Sequence, residues 1–139
     1  MQPLYQTSVK AQGGRNGKVV SDDGVLSLDV KMPKELGGSG GATNPEQLFA
    51  AGYAACFDSA LNLVIRQRKA KVEGTEVTAQ VTLGKDEADG GFQLAVVLQV
   101  RIWGVDRKTA EELVHAAHQV CPYSKAVRGN IDVTLSIQE

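Results

Sequence analysis

The sequence has few cysteines, few aromatic residues and no excess of charge of either sign. Among 139 residues there are 2 Cys, 3 Phe, 3 Tyr and 1 Trp, and the 15 basic and 16 acidic side chains leave a net charge of −1. Two cysteines are too few for a disulfide-stapled mini-protein. The balanced charge and the scarcity of aromatic rings argue against a nucleic-acid binder, which usually presents a basic face and stacking side chains.

A long, uninterrupted hydrophobic run is also missing. The N-terminal segment MQPLYQTSVKAQGG lacks the basic and then apolar regions of a signal peptide. The most apolar segment, residues 48–65, is interrupted by Tyr53, Asp58, Ser59 and Asn62, whereas a membrane span needs roughly 20 predominantly apolar residues. We therefore expect a cytoplasmic protein with no membrane partner.

What remains is the composition of an ordinary globular domain. Hydrophobic residues make up 42% of the chain and charged residues 22%, which is close to the average for soluble proteins. The length fits one domain with a substantial core. We predict a single domain over residues 1–139.

Alternation of apolar and polar side chains predicts the strands. It occurs in residues 5–11, 26–30, 77–83, 92–102 and 131–137, with room for one further strand before the first helix. The polar segment 85–91 predicts a hairpin turn between the third and fourth of these strands.

Two helices are predicted from their boundary residues. Asn44 is a favourable N-cap before Pro45, and that helix should run to about Arg68. A second helix should begin after Asp106 and stop at Pro122, since proline cannot continue a helix interior. The order of elements predicts an α+β fold, with mostly antiparallel sheets packed on two helices.

Both cysteines lie on apolar helix faces. Cys56 shares its face with the small residues Gly52 and Ala60, and Cys121 lies in the apolar stripe of the second helix. The first helix is apolar nearly all round, so it should be covered on more than one side, most simply by a partner subunit. Spacing alone leaves open that both thiols are merely small buried side chains.

A reactive Cys56 would need a cation from elsewhere in the chain. It lies about twelve residues into its helix, beyond the reach of the helix dipole, and an ordinary thiol with a pKa of about 8.5 is a poor nucleophile at neutral pH. The glycine-flanked turn at residues 13–17 contains Arg15, which could supply that charge.

Several segments together resemble the organic hydroperoxide resistance branch of the OsmC-like superfamily. They are GGRNG from residue 13, ELGG from residue 35, TNPEQLFAAGYAACF from residue 43 and VCPYSKAVRGNIDV from residue 120. They span the chain in the family's order, and the VCPYS segment is typical of this branch.

The resemblance implies a thiol peroxidase that reduces organic hydroperoxides to alcohols without a bound cofactor or metal. Cys56 matches the family's peroxidatic cysteine and Cys121 its resolving cysteine. Arg15 matches the arginine that activates the thiolate, and Glu46 the carboxylate that orients this arginine. The resemblance further implies an OsmC-like fold, an intertwined homodimer in the cytoplasm and a lipoylated protein as the electron donor.

Other functions stay open at the level of residues. His115, His118 and Cys121 have HxxHxxC spacing, and Cys56 could complete a zinc site, although His115 lies about 120° from Cys121 on the helical wheel. The chain could also be a non-enzymatic ligand carrier with structural cysteines. A protein disulfide reductase is disfavoured because it usually needs a close C-x-x-C pair, which is absent.

Overall fold

A computed structural model describes all 139 residues. The chain forms two compact units, Met1–Leu48 and Phe49–Glu139. Two three-stranded sheets together with helices confirm the predicted α+β class, whereas the single domain over residues 1–139 stays a prediction.

The N-terminal unit contains a three-stranded antiparallel sheet. Its strands are β1 (Val9–Gln12), β2 (Gly17–Ser21) and β3 (Ser27–Val30), in the order β1-β2-β3. A short 3-10 helix follows at Lys34–Leu36. The prediction of a strand from residue 5 is wrong for residues 5–8, because β2 ends at Ser21 opposite Val9 and offers them no further partner.

Helix α1 (Pro45–Arg68) has the bounds predicted from the sequence. Asn44 caps it, since its side-chain oxygen accepts a hydrogen bond of 2.8 Å from the backbone N–H of Gln47. By length and composition α1 could cross a membrane, with a mean hydropathy of 1.5 over 18 residues. However, six of its residues are buried in the core of the folded protein.

The C-terminal unit contains the second sheet, in the order β4-β5-β6. Strands β4 (Gly74–Lys85) and β5 (Phe92–Trp103) form the predicted antiparallel hairpin, with Val77 opposite Val100. Strand β6 (Asp132–Gln138) pairs with β5 in parallel, not in the antiparallel sense predicted for most strands. A parallel neighbour requires a crossover connection, and the helices between β5 and β6 provide it.

The crossover consists of two helices rather than one. Helix α2 (Arg107–Val120) is capped by Asp106, which accepts a hydrogen bond of 2.8 Å from the Thr109 N–H. It ends before Pro122 as predicted, but Pro122 then begins a further helix, α3 (Pro122–Val127). Proline is favourable at a first helical position, because the N–H that it lacks has no intrahelical acceptor there.

The core of this unit lies between the sheet and the helices. One face of β5 contributes Val96, Leu98, Val100 and Ile102, all buried, as their alternation predicts. Phe92 begins the same alternation, yet 75% of it is exposed, since it lies at the turn end of the hairpin. The helices contribute the remaining buried residues of the cluster: Tyr53, Phe57, Ala60, Leu61, Val64, Ile65, Ala110, Leu113, Val114, Ala117, Cys121 and Val127.

Candidate active site

The two cysteines meet inside the C-terminal unit. Cys56 extends from the middle of α1, and Cys121 lies at the junction of α2 and α3. Their sulfur atoms are 3.9 Å apart and both thiols are free. Cys121 is fully buried, whereas Cys56 is only partly buried. A disulfide needs a sulfur–sulfur distance of about 2.05 Å, so a modest movement of either side chain could join them.

Three aromatic side chains cluster on the helices that adjoin the cysteines. The rings of Phe49, Tyr53 and Tyr123 lie 5.7–6.3 Å apart, centroid to centroid. The Tyr123 hydroxyl lies over Gly52, where an added Cβ would be 2.5 Å from the hydroxyl oxygen. The sequence places the small residue Gly52 on the face of Cys56, and the structure fills the space over Gly52 with the tyrosine ring. The result is an aromatic cluster within two helical turns of Cys56 along α1.

The surroundings of Cys56 oppose ionisation within this unit. Burial raises the pKa of the Cys56 thiol, and the nearby Cys121 raises it further. A hydrogen bond from the Tyr123 backbone acts in the opposite direction but does not reverse the shift. Because only the thiolate is a strong nucleophile, Cys56 needs an additional positive charge to react quickly near neutral pH.

A buried hydrogen-bond network adjoins the cysteine pair. The hydroxyls of Tyr53 and Ser124 are 2.7 Å apart, and Ser124 Oγ is 2.8 Å from His118 Nδ1. The Ser124 N–H also donates to Cys121 Sγ at 3.5 Å. The sequence alone does not reveal this network. The only signal is spacing: Tyr53 comes three residues before Cys56 and Ser124 three residues after Cys121.

Arg15 and Glu46 form an ion pair in the N-terminal unit. The guanidinium donates two hydrogen bonds, of 2.8 and 2.6 Å, to the two carboxylate oxygens. This bidentate geometry is the strong form of the interaction, and it holds the pKa of Glu46 below its usual value. The expected pair is therefore present.

The turn that carries Arg15 depends on glycine. Gly13 and Gly14 have φ values of +81° and +58°, which residues other than glycine rarely adopt. A backbone hydrogen bond of 3.0 Å from the Asn16 N–H to the Gly13 carbonyl closes the turn. A side chain at Gly17 would overlap the Gln12 carbonyl. The glycines thus allow a tight turn that presents Arg15 to Glu46.

Asp58 takes part in hydrogen bonds within the fold. Its carboxylate accepts a hydrogen bond of 2.6 Å from the Thr75 hydroxyl, and the Asn62 amide donates to Thr75 Oγ1 at 3.1 Å. These contacts join α1 to β4. Two polar residues of this apolar helix, Asp58 and Asn62, therefore have partners within the fold.

The residues of the alternative zinc site do not converge on one point. The structure contains no group of three or more His, Cys, Asp or Glu side chains that could hold a metal ion. His118 instead pairs with Ser124.

Comparison with known proteins gives matches along the whole chain. The family model described as OsmC-like protein matches residues 38–136. Organic hydroperoxide resistance protein OhrA of Bacillus subtilis is 62% identical over 99% of both chains. The crystal structure of an organic hydroperoxide resistance protein from Legionella pneumophila is 54% identical, has a TM-score of 0.95 and covers 99% of this chain and 100% of its own. The structure of OhrB of Bacillus subtilis is 51% identical, with a TM-score of 0.90, covering 98% of this chain and 100% of its own.

Proposed function

Because the chain belongs to the organic hydroperoxide resistance proteins of the OsmC-like family, we propose that it is a thiol peroxidase. It reduces organic hydroperoxides to alcohols and so contributes to the response to oxidative stress. The observation that carries this proposal is the pair of free thiols, one partly exposed and one buried, with sulfur atoms 3.9 Å apart.

The proposed reaction consumes both thiols. The Cys56 thiolate attacks the distal peroxide oxygen, the O–O bond breaks, and the departing alkoxide takes up a proton to become the alcohol. Cys56 is thereby oxidised to a sulfenic acid. The Cys121 sulfur then attacks Cys56, the S–O bond breaks, and the hydroxyl leaves as water with the Cys121 proton. The product is a Cys56–Cys121 disulfide.

The difference in exposure between the two thiols supports the proposed order of reaction. A peroxide can approach Cys56, which is partly exposed, but not the fully buried Cys121. The apolar surface that Phe49 and Tyr123 leave partly exposed favours hydroperoxides with a hydrocarbon group over hydrogen peroxide. Burial of apolar surface supplies the binding energy.

Arg15 and Glu46 are proposed to activate Cys56. The pKa of the thiol is raised within its own unit, so a guanidinium is needed to favour the thiolate. The bidentate hydrogen bonds to Glu46 restrict the orientation of the Arg15 guanidinium. In this proposal Arg15 donates to the Cys56 thiolate and Glu46 orients Arg15.

The reductant, assembly and compartment complete the proposal. A lipoylated protein returns the disulfide to two thiols by exchange through a mixed disulfide, and the enzyme uses no bound cofactor. The protein works as an intertwined homodimer in the cytoplasm. Thioredoxin would be the ordinary alternative, and turnover with each donor in turn distinguishes the two.

Two serine variants test the assignment of the cysteines. With tert-butyl hydroperoxide and a lipoylated donor, Cys56→Ser should show no turnover above the uncatalysed rate, because it lacks the nucleophile. Cys121→Ser should consume about one equivalent of peroxide and then stop as a sulfenic or over-oxidised acid. Formation of the alcohol, followed by chromatography, measures both results.

Two other outcomes would contradict the proposed peroxidase mechanism. Multiple turnover by Cys56→Ser would remove Cys56 from the mechanism. A wild-type protein that binds the hydroperoxide without releasing any alcohol would instead indicate a ligand carrier.

A further inference from the structure

Ser124 connects three parts of the C-terminal unit. It is fully buried and lies in α3. Its hydroxyl pairs with Tyr53 of α1 at 2.7 Å and with His118 of α2 at 2.8 Å. Its backbone N–H donates to Cys121 Sγ at 3.5 Å. One residue thus contacts the helix that carries Cys56 and the sulfur of Cys121.

The spacing along each helix makes this contact relevant to the thiols. Tyr53 lies one helical turn before Cys56 on the same side of α1, and Ser124 lies one turn after Cys121. The buried Tyr53–Ser124 hydrogen bond therefore links the two cysteine-bearing segments close to the sulfur atoms. The Ser124 N–H restricts Cys121 Sγ on one side, and Cys56 lies 3.9 Å from that sulfur.

We propose that Ser124 is a positioning residue for disulfide formation, and that it acts together with Tyr53 and His118. The inference rests on the proposed peroxidase function and concerns its second step. In that step Cys121 Sγ forms a bond to Cys56 Sγ, the S–O bond of the sulfenic acid breaks, and the Cys121 proton leaves with the hydroxyl as water. The sulfur atoms must approach from 3.9 Å to about 2.05 Å.

His118 determines the direction of the hydrogen bonds. Burial lowers the pKa of His118, and the positive charge of Arg128 and the neighbouring His115 lower it further. When His118 is neutral, Nδ1 can accept from the Ser124 hydroxyl, which in turn accepts from Tyr53. When it is protonated, its N–H donates to Ser124, and the Ser124 hydroxyl hydrogen loses Nδ1 as its acceptor.

A cavity beside His118 allows solvent protons to reach its ring. This cavity of about 330 Å³ is lined by His118, Ser124, Arg128 and Asp132, among others. Asp132 of β6 is the acidic group that lines the cavity, and His115 lies on α2. The Arg128 guanidinium donates a hydrogen bond of 2.7 Å to the His118 carbonyl. Tyr53 is the titratable group that faces His118 through Ser124.

Rapid-mixing experiments with tert-butyl hydroperoxide separate the two steps. Release of alcohol reports the attack by Cys56, and loss of the second thiol reports disulfide formation. Ser124→Ala should leave the first rate unchanged and slow the second roughly 10- to 100-fold, the range expected when a reacting group is misplaced by about 1 Å. An unchanged second rate would overturn the proposal.

The double variant Tyr53→Phe/Ser124→Ala controls for stability. Removing both members of a buried hydrogen bond can be nearly neutral for folding, whereas removing one leaves the other without a partner. We expect the double variant to unfold close to the wild-type temperature and still to form the disulfide slowly. A double variant that is stable and forms the disulfide at the wild-type rate would contradict a positioning role.

The pH dependence provides a readout that a merely structural role would not change. His118→Asn keeps an acceptor near the Nδ1 position but cannot titrate. The ratio of the second rates, wild type over His118→Asn, should be constant above about pH 6.5 and fall at lower pH, as wild-type His118 becomes protonated. The exposed His115→Asn is the matched control: it retains His118, so its second rate should still fall at low pH relative to that of His118→Asn. A constant ratio for His118→Asn from about pH 5 to 8 would contradict the role given to His118.

Diamide, a thiol oxidant, distinguishes failure of this inference from failure of the proposed function. It forms an adduct at one thiol that the second thiol displaces, so Cys121 must make the same approach. If the wild type does not react with the hydroperoxide but forms the disulfide with diamide, the proposed peroxidase function is wrong. Slower disulfide formation by Ser124→Ala in the diamide reaction still supports positioning, and equal rates overturn it.

Discussion

Cys56 combines partial exposure with surroundings that favour the neutral thiol. Burial and Cys121 both raise the pKa of its thiol, and the Tyr123 backbone only partly offsets them. In the proposed mechanism a cation from the N-terminal unit favours the Cys56 thiolate. Arg15, already oriented by two hydrogen bonds to Glu46, is the cation that the sequence motifs point to.

Removing Arg15 should therefore weaken Cys56 as a nucleophile. Opposite charge close to a titrating group typically lowers an acid pKa by about 1 to 3 pH units. We expect Arg15→Ala to raise the pKa of Cys56 by about that amount and to slow its attack at neutral pH. Ultraviolet titration of the thiolate in a Cys121→Ser background measures this pKa without interference from the second thiol.

Lys18→Ala is the control for this experiment. It removes another cation of the same unit, one that pairs with Asp29 on the surface at 3.7 Å, and should leave the pKa of Cys56 unchanged. If Arg15→Ala and Lys18→Ala give the same pKa as the parent protein, Arg15 does not activate Cys56.

At the residue scale, the sequence predicts the helix face on which a side chain lies better than it predicts contacts between helices. The spacing within each helix places Cys56 and Cys121 on apolar faces, as the structure confirms for the buried Cys121. Spacing within one helix cannot predict contacts between helices. The meeting of Tyr53, Ser124 and His118 depends on the packing of α1, α2 and α3 and so could not be predicted.

At the scale of elements, local signals predict helix boundaries well when the capping chemistry is simple. Asn44 and Pro45 predict the start of α1, and Asp106 the start of α2. Helix α3 is missed because Pro122 ends one helix and begins the next. The parallel pairing of β6 is missed because a strand's own alternation carries no information about the direction of its neighbour.

The contact between α1 and α3 at Gly52 can be tested by a double-mutant cycle. Alanine is favoured over glycine in a helix by up to about 1 kcal/mol, but its Cβ would lie 2.5 Å from the Tyr123 hydroxyl oxygen. Gly52→Ala should therefore raise the free energy of unfolding in a Tyr123→Ala background. In the wild type it should give a smaller gain or a loss.

Chemical denaturation of the four proteins in the cycle measures this coupling. The same gain from Gly52→Ala in both backgrounds would show that Tyr123 does not occupy the space over Gly52.

At the scale of the whole molecule, α1 is more apolar than a single chain can cover. Only 28% of its most apolar 18-residue window is buried. Ala51, Ala55, Ser59 and Leu63 recur every four residues, and all four are exposed in the single chain. Such a stripe of small and apolar side chains suits a second helix, which agrees with the proposed homodimer.

A charge in the middle of this stripe should separate the subunits. We expect the wild type to sediment at twice the chain mass of 14.8 kDa and Ala55→Arg to sediment as a monomer at the same concentration, because an arginine cannot be buried there unpaired. Gln119→Arg, on an exposed position of α2, is the matched control and should remain dimeric. A monomeric wild type would contradict the proposed assembly.

The central claim is that Cys56 and Cys121 together reduce one hydroperoxide. The most direct measurement treats the reduced protein with one equivalent of tert-butyl hydroperoxide, then determines the protein mass, the linked peptides and the alcohol formed. The account predicts one alcohol per chain, a mass lower by two hydrogens and a peptide containing a Cys56–Cys121 disulfide. Full recovery of both free thiols with no alcohol released would contradict it.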